Sequence, residues 1–191
     1  MIKSRVFADC ALSSKWDKFK YTELDCQGFV EAVLKDIGIR KQDGTVYNWL
    51  GSNSMYRNFY QWRGSVEECI NQFGQIPVGA FVYIWEPTGE QERAYFDGLG
   101  NAKHVGIYCG DNKVRDSTRS TKSKRDGVGT RTMDGFNRVT LFSGLDYELS
   151  TDYNTAVENL QDFLNNLVQF INSARDCAQR MEGLLNDLRR G

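Results

Sequence analysis

Thr22-Glu23-Leu24-Asp25-Cys26-Gln27-Gly28-Phe29-Val30-Glu31-Ala32-Val33-Leu34 is the stretch on which the reading of this chain turns. Phe29, Val30, Val33, Leu34 and Ile37 recur at the three-and-four spacing of one helical face. The stretch therefore predicts an amphipathic helix over residues 25–37 with that face in a core. Asp25 is a favoured N-cap residue type, and Gly38 follows where helices commonly stop. Cys26 then falls on the first turn, where backbone N–H groups point outward and the helix dipole is positive. Both effects favour thiolate over thiol. Cys26 is thus a candidate nucleophile; on the helix alone, a buried structural thiol explains it equally well.

The surroundings of that helix are those of an ordinary soluble domain. The chain has 191 residues, 40% apolar and 26% charged, with a formal net charge of −1. No overall field steers it to nucleic acid, and no nucleic-acid motif is present. Cys10, Cys26, Cys69, Cys109 and Cys177 are odd in number and scattered, without C-x-x-C pairs. That argues against a disulfide framework and against a zinc site, so no metal and no cofactor is expected. The first residues lack the apolar core of a signal peptide, and no apolar run is long enough for a membrane span. The expectation is synthesis in a reducing cytoplasm, with release by other means if the protein works outside.

Outward from the helix, the pattern changes. Residues 1–21 read as a short helix or irregular lead-in, and 39–75 as one or two short helices with loops. The second of these lies near Ser65–Phe73, where Ser65 and Glu68 match a capping box. After the turn Pro77-Val78-Gly79, residues 80–85 form a β-rich run. Residues 86–102 read as a loop or ribbon. Residues 104–109 and 113–118 read as a hairpin closed by Gly110-Asp111-Asn112. Residues 119–135 read as an exposed loop, and 138–142 as a last strand. Helices first and strands second predict an α+β domain with an antiparallel sheet, over about residues 1–150.

Residues 151–191 differ in kind. Apolar residues fall at 157, 160, 164, 167, 171, 174, 178, 181, 185 and 188, alternating between spacings of three and four. That heptad pattern predicts a coiled-coil or bundle helix. Phe163, Phe170, Cys177 and Leu184 add a further apolar column, wider than a two-helix seam. The helix either joins a bundle of several chains or lies back on its own domain; a homo-oligomer is the favoured arrangement.

A cysteine nucleophile needs a base, and the base an orienting group. His104 is the only histidine. Along its strand, 104, 106 and 108 share a face, and Gly106 leaves room beside the ring. Counting back from the turn brings 114–118 opposite 104–108, so Asp116 or a neighbour can reach His104. An aspartate there would fix the imidazole tautomer and stabilise the cation. Read singly, His104 and Asp116 could each be purely structural.

Their order in the chain says more. Asp25-Cys26-Gln27-Gly28-Phe29-Val30, Pro77-Val78-Gly79-Ala80-Phe81-Val82 and His104-Val105-Gly106-Ile107-Tyr108-Cys109-Gly110 together resemble the NlpC/P60 family of cell-wall cysteine peptidases. The resemblance covers roughly residues 20–147. It implies a papain-like fold, a cysteine nucleophile at Cys26, His104 as base and Asp116 as the third polar residue. It also implies hydrolysis of amide bonds in peptidoglycan stem peptides. Members encoded by phages and prophages are the most similar in lacking a signal sequence, which implies an endolysin or tail-associated lysin acting at the bacterial cell wall. Three departures stand out. Gln27 replaces the usual serine, Asp116 stands where His, Asn or Gln is commoner, and the upstream tyrosine run is missing. Tyr21 is the nearest hydroxyl, expected with Asp25 on the substrate or oxyanion side. Two other readings remain: a different Cys–His amidase or acyl transferase, and a non-catalytic wall-peptide-binding or particle component. The basic stretch 113–138 either holds anionic wall polymer and peptide carboxylates or is a solvated loop.

Overall fold

The structure, a computed structural model, describes residues 1–88, 95–121, 124–147, 161, 163–175, 178–179 and 181. Its elements in chain order are β1 (Ile2–Lys3), α1 (Ser4–Ala11), a 3-10 turn at Ser14–Trp16, α2 (Cys26–Asp36), α3 (Ser52–Arg57), β2 (Tyr60–Ser65), α4 (Val66–Phe73), β3 (Phe81–Glu86), β4 (Asn101–Gly110), β5 (Lys113–Ser120), β6 (Arg125–Thr132), β7 (Arg138–Phe142) and β8 (Leu145–Asp146). Six strands make one antiparallel sheet in the order β2-β7-β3-β4-β5-β6, and β1 pairs with β8 in parallel. The domain is α+β, with helices in the first half and most of the sheet in the second.

Helix α2 is the hub. Phe29, Val30 and Val33 are fully shielded from solvent and Leu34 nearly so. Each such side chain contributes about 1.5–3 kcal/mol by leaving water. Phe29 meets Trp16 edge-on at 5.9 Å between ring centroids, so the 3-10 turn caps the same core. Truncating Phe29 to alanine would cost about 3–5 kcal/mol. At the far edge of the sheet, α4 begins with the expected capping box: the Ser65 hydroxyl accepts from the Glu68 N–H at 3.0 Å, and Glu68 accepts from the Ser65 N–H at 2.6 Å. Its C-cap Gly74 has φ 73°.

Two expectations are corrected. Residues 119–135 are not one exposed loop. Strand β5 continues to Ser120, and β6 pairs with it over eight registered residues, from Lys113↔Thr132 to Ser120↔Arg125. The lysine, arginine and glycine content hides a strand whose stability comes from pairing rather than propensity. Residues 60–65 are likewise a strand, β2, paired with β7. Strand β4 also starts three residues earlier than the sequence suggests, at Asn101. There the Asn53 side chain donates to Asn101 Oδ1 at 3.1 Å and accepts from the Ala102 N–H at 2.6 Å.

The chain divides into two units, Met1–Leu149 and Ser150–Gly191. Within the second, residues 163–175 are helical, and Phe163, Leu164, Leu167, Val168, Phe170 and Ile171 are exposed. The expected heptad positions 157, 160, 185 and 188 lie outside the described residues, as do Cys177 and Leu184. Among the described residues, no helix is long and apolar enough to cross a membrane.

Candidate active site

The N-terminus of α2 forms as its sequence requires. Asp25 is extended (φ −71°, ψ −177°), and its carboxylate accepts from the Gly28 N–H at 2.7 Å. Cys26 is therefore the first residue of the helix, and it is almost fully buried. A Cβ at residue 28 would come 3.1 Å from the capping oxygen, so glycine there keeps the cap tight. Asp25, expected on the substrate or oxyanion side, has its carboxylate engaged as the cap.

The second component is the β4–β5 hairpin. Asp111 and Asn112 both have positive φ, 48° and 58°, as a tight two-residue turn between twisted strands demands. The register pairs Ile107 with Arg115 and Tyr108 with Val114, which brings residue 116 beside 106. His104 Nε2 lies 2.6 Å from Asp116 Oδ2. Gly106 does leave necessary room, but for other neighbours than the ring. A Cβ on it would come 2.4 Å from Val114 Cγ1 and 3.1 Å from Asp116 Cβ.

Cys26 completes the group. Burial by itself pushes the His104 pKa down. Hydrogen bonds to Asp116 and to Cys26, and the charges of both, outweigh it and carry the imidazole up to about 9. These contacts favour the protonated ring. With Nε2 donating to Asp116, Nδ1 is the nitrogen left for the sulfur, an assignment that follows from the partners. Asp116 has no solvent exposure. It is also paired with Arg125, whose Nη2 donates to its Oδ1, and Arg131 Nη1 stands 3.9 Å from Oδ2. A buried carboxylate needs such partners to remain charged.

Tyr21 joins from the lead-in segment. Its hydroxyl feels the Cys26 sulfur. Burial, then the negative charges of Cys26 and Asp25, push its pKa up to about 12, against a smaller opposing effect of Arg119. It remains a proton donor beside the sulfur at any physiological pH. Strand β6 holds this segment in place: the Tyr21 N–H donates to Asp126 Oδ1, and the Val128 N–H to the Phe19 carbonyl, both at 3.3 Å. Gly127 makes that approach possible, with φ 121° and a hypothetical Cβ only 2.0 Å from the Phe19 oxygen. The Ser117 hydroxyl donates to the Leu24 carbonyl and ties β5 to the residues just before the cap. Tyr21, Asp25, Gln27, Glu31 and Arg119 line a groove of about 510 Å³ beside the helix start.

The structure thus gathers Tyr21, Cys26, His104 and Asp116, with Asp25 beneath as the cap. Sequence reading named Arg125 and Arg131 only as part of the basic stretch, not as partners of Asp116, and missed Gly129. The available signal was the alternation Arg125, Gly127, Gly129, Arg131, which puts two arginines and two glycines on one strand face. Gly129 pairs with Asp116, and a Cβ on it would come 2.7 Å from Arg125 Cδ. Its bare backbone lets the Arg125 side chain lie across to the carboxylate. Among the described residues, no group of three or more His, Cys, Asp or Glu side chains could hold a metal. No protein-family model matches the chain, and no curated protein matches it at a significant level.

Proposed function

We propose that this chain is a papain-like cysteine peptidase of the NlpC/P60 type that hydrolyses amide bonds in peptidoglycan stem peptides. One observation carries the reading: the cysteine on the first turn of a core helix is among the groups that raise the pKa of the only imidazole, one nitrogen of which rests on a buried carboxylate. Nucleophile, base and orienting group then stand in the relation that acyl transfer requires. The three motif blocks support the family assignment. Cys26 opens α2, and His104 lies on β4. Pro77–Val82 leads into β3, with Gly79 at φ 86° packed against the Ser4 backbone. Gln27, where the family usually has serine, donates to Glu31 Oε1 at 2.8 Å and to the Trp49 carbonyl. It serves packing rather than chemistry.

In the proposed reaction Cys26 Sγ attacks the carbonyl carbon of the scissile amide. The oxyanion forms near the helix start, where N–H groups lack intrahelical acceptors and Gly28 is already committed to Asp25. The Cys26 N–H and the Tyr21 hydroxyl are the candidate donors. His104 gives its proton to the leaving amine, whose departure leaves a thioester. His104 then takes a proton from water, and hydroxide attack releases the acid and returns Cys26. Asp116 keeps the imidazole oriented throughout.

The C-terminal segment is assigned as a coiled-coil helix that joins several catalytic domains, which raises avidity for a polymeric substrate. Light scattering after size exclusion should give an oligomer for the full chain and a monomer for residues 1–150; monomers for both would remove that role. For the chemistry, mass analysis of fragments released from purified peptidoglycan is the test. Wild-type protein should release stem-peptide fragments and the Cys26→Ala variant none. Equal release by both would discard the nucleophile, and no release by either would favour a wall-binding module.

A further inference from the structure

The arginines of the basic stretch, with Lys113, fall into two classes of side chain; Lys124 is exposed. Arg115 is spent inside the domain, donating to the Ala11 carbonyl at 3.1 Å and Thr130 Oγ1 at 3.2 Å, and pairing with Asp17. Arg119 stands 3.6 Å from Asp126, Lys113 3.9 Å from Asp111, and Arg138 stacks on Trp85 at 3.8 Å. Arg125 and Arg131 behave differently. Both converge on one cavity of about 590 Å³, lined also by Thr118, Thr130, Thr132 and Asp134.

Two guanidinium groups carry ten N–H donors between them. Arg125 Nη2 serves Asp116, Arg131 Nη2 donates to the Asp134 backbone oxygen at 2.9 Å with its Nη1 3.9 Å from Asp116 Oδ2, and Arg125 Nε is buried with no acceptor among the described residues. Arg131 also lies over the Phe136 ring at 4.7 Å, which fixes its plane. The Asp134 carboxylate already accepts from the Thr132 hydroxyl at 2.6 Å. Arg125 and Arg131 balance the carboxylates Asp116 and Asp134 in formal charge, but the two guanidinium groups on the cavity wall carry more N–H donors than these partners use.

We infer that this cavity is a subsite for an oxyanion, a carboxylate or a phosphate group, held by Arg125 and Arg131 next to the candidate active site. Planar forks of this kind suit bidentate oxyanions. The bound group would share the arginines with Asp116 and so be felt at His104. The other groups that bear on that ring are Cys26 on α2, Tyr21 on the lead-in and Asp116 on β5, with the Phe136 ring 6.0 Å away. Added negative charge beyond Asp116, and weaker neutralisation of Asp116, both favour the imidazolium. Occupancy should therefore raise the His104 titration midpoint.

The sole histidine makes the test a single-resonance experiment. The full-length protein, labelled in its imidazole, is titrated with sodium phosphate, sodium acetate and sodium chloride at matched ionic strength, and the His104 resonance is followed against pH. The expected result is a saturable change with phosphate or acetate, absent with chloride, and a midpoint raised by a few tenths of a pH unit. Arg125→Gln and Arg131→Gln should each weaken saturation by about tenfold or more. Arg131 is the more exposed of the two and serves as the second variant should Arg125→Gln fail to fold. Tighter saturation by acetate would identify the group as a peptide carboxylate, and tighter saturation by phosphate a phosphate of wall polymer. No saturable change over chloride, or equal saturation in the folded variants, overturns the proposal. The readout does not involve hydrolysis, so it succeeds or fails separately from the peptidase reading.

Discussion

Cys26 and Cys10 sit at opposite poles of their helices, and their surroundings differ in sign. Cys26 opens α2, at the positive end of the dipole, beside the His104 imidazole. Cys10 lies one residue from the end of α1, at the negative end. Burial, together with its hydrogen bond to Asp36 Oδ2 at 3.2 Å, pushes the Cys10 thiol up to about 11. Cys10 is the more exposed of the two. Cys69 and Cys109 are simply buried, which pushes both up to about 12. The comparison separates access from activation: Cys10, the more exposed of the two, is held protonated, whereas the nearly buried Cys26 has an imidazole beside it that favours charge separation.

The largest expected effect would break this comparison outright. Cys26→Ala should lower stem-peptide hydrolysis by ~10³-fold or more, whereas Cys10→Ala should leave it within about twofold, as read from initial rates of fragment release. A matching pair of losses would mean that the two corners do not differ in kind. Next, brief alkylation at pH 7 followed by peptide mapping should label Cys26 at least ~10-fold faster than Cys10. Preferential labelling of Cys10 would show that exposure governs after all.

Asp116→Asn sharpens the electrostatic side. The His104 midpoint should drop from about 9 toward 6.5. The folded pKa lies above the unfolded one, so the stability it contributes is complete below about pH 6.5 and is lost as pH climbs through about 9. Wild-type stability, measured by denaturant unfolding, should fall between pH 7 and 10 by up to about 3 kcal/mol on this account. The Asp116→Asn curve should be flatter, and an unchanged slope would detach the carboxylate from the imidazole. The smallest effect belongs far from both cysteines. Ser65→Ala removes the capping box of α4 and should cost about 1 kcal/mol with hydrolysis unaltered.

The parts of the molecule that were legible in advance are those with short-range signals. The α2 face repeats within its own helix, the β4–β5 turn is written in Gly110-Asp111-Asn112, and the capping box spans four residues. The meeting of His104 with Asp116 followed because a hairpin's register can be counted from its turn. Strand β6 was illegible for the converse reason. Its glycines and basic residues have poor strand propensity, and they make sense only once β5, Asp116 and the Phe19 carbonyl are in place. Arg125 belongs to the same class, since its partner is a carboxylate nine positions back that no periodicity points to. The lead-in segment shows it too: Tyr21 could be suspected as a nearby hydroxyl, but its anchor on β6 lies 105 residues away.

That long tether has an implication for a chain emerging from the ribosome. The Phe19 carbonyl can close onto Val128 only after Gly127 and its neighbours have been synthesised, and Asp116 gains Arg125 at the same stage. Until residues 125–128 have been synthesised, a nascent chain carries Cys26 without the strand that anchors Tyr21 and without the arginine that pairs with Asp116.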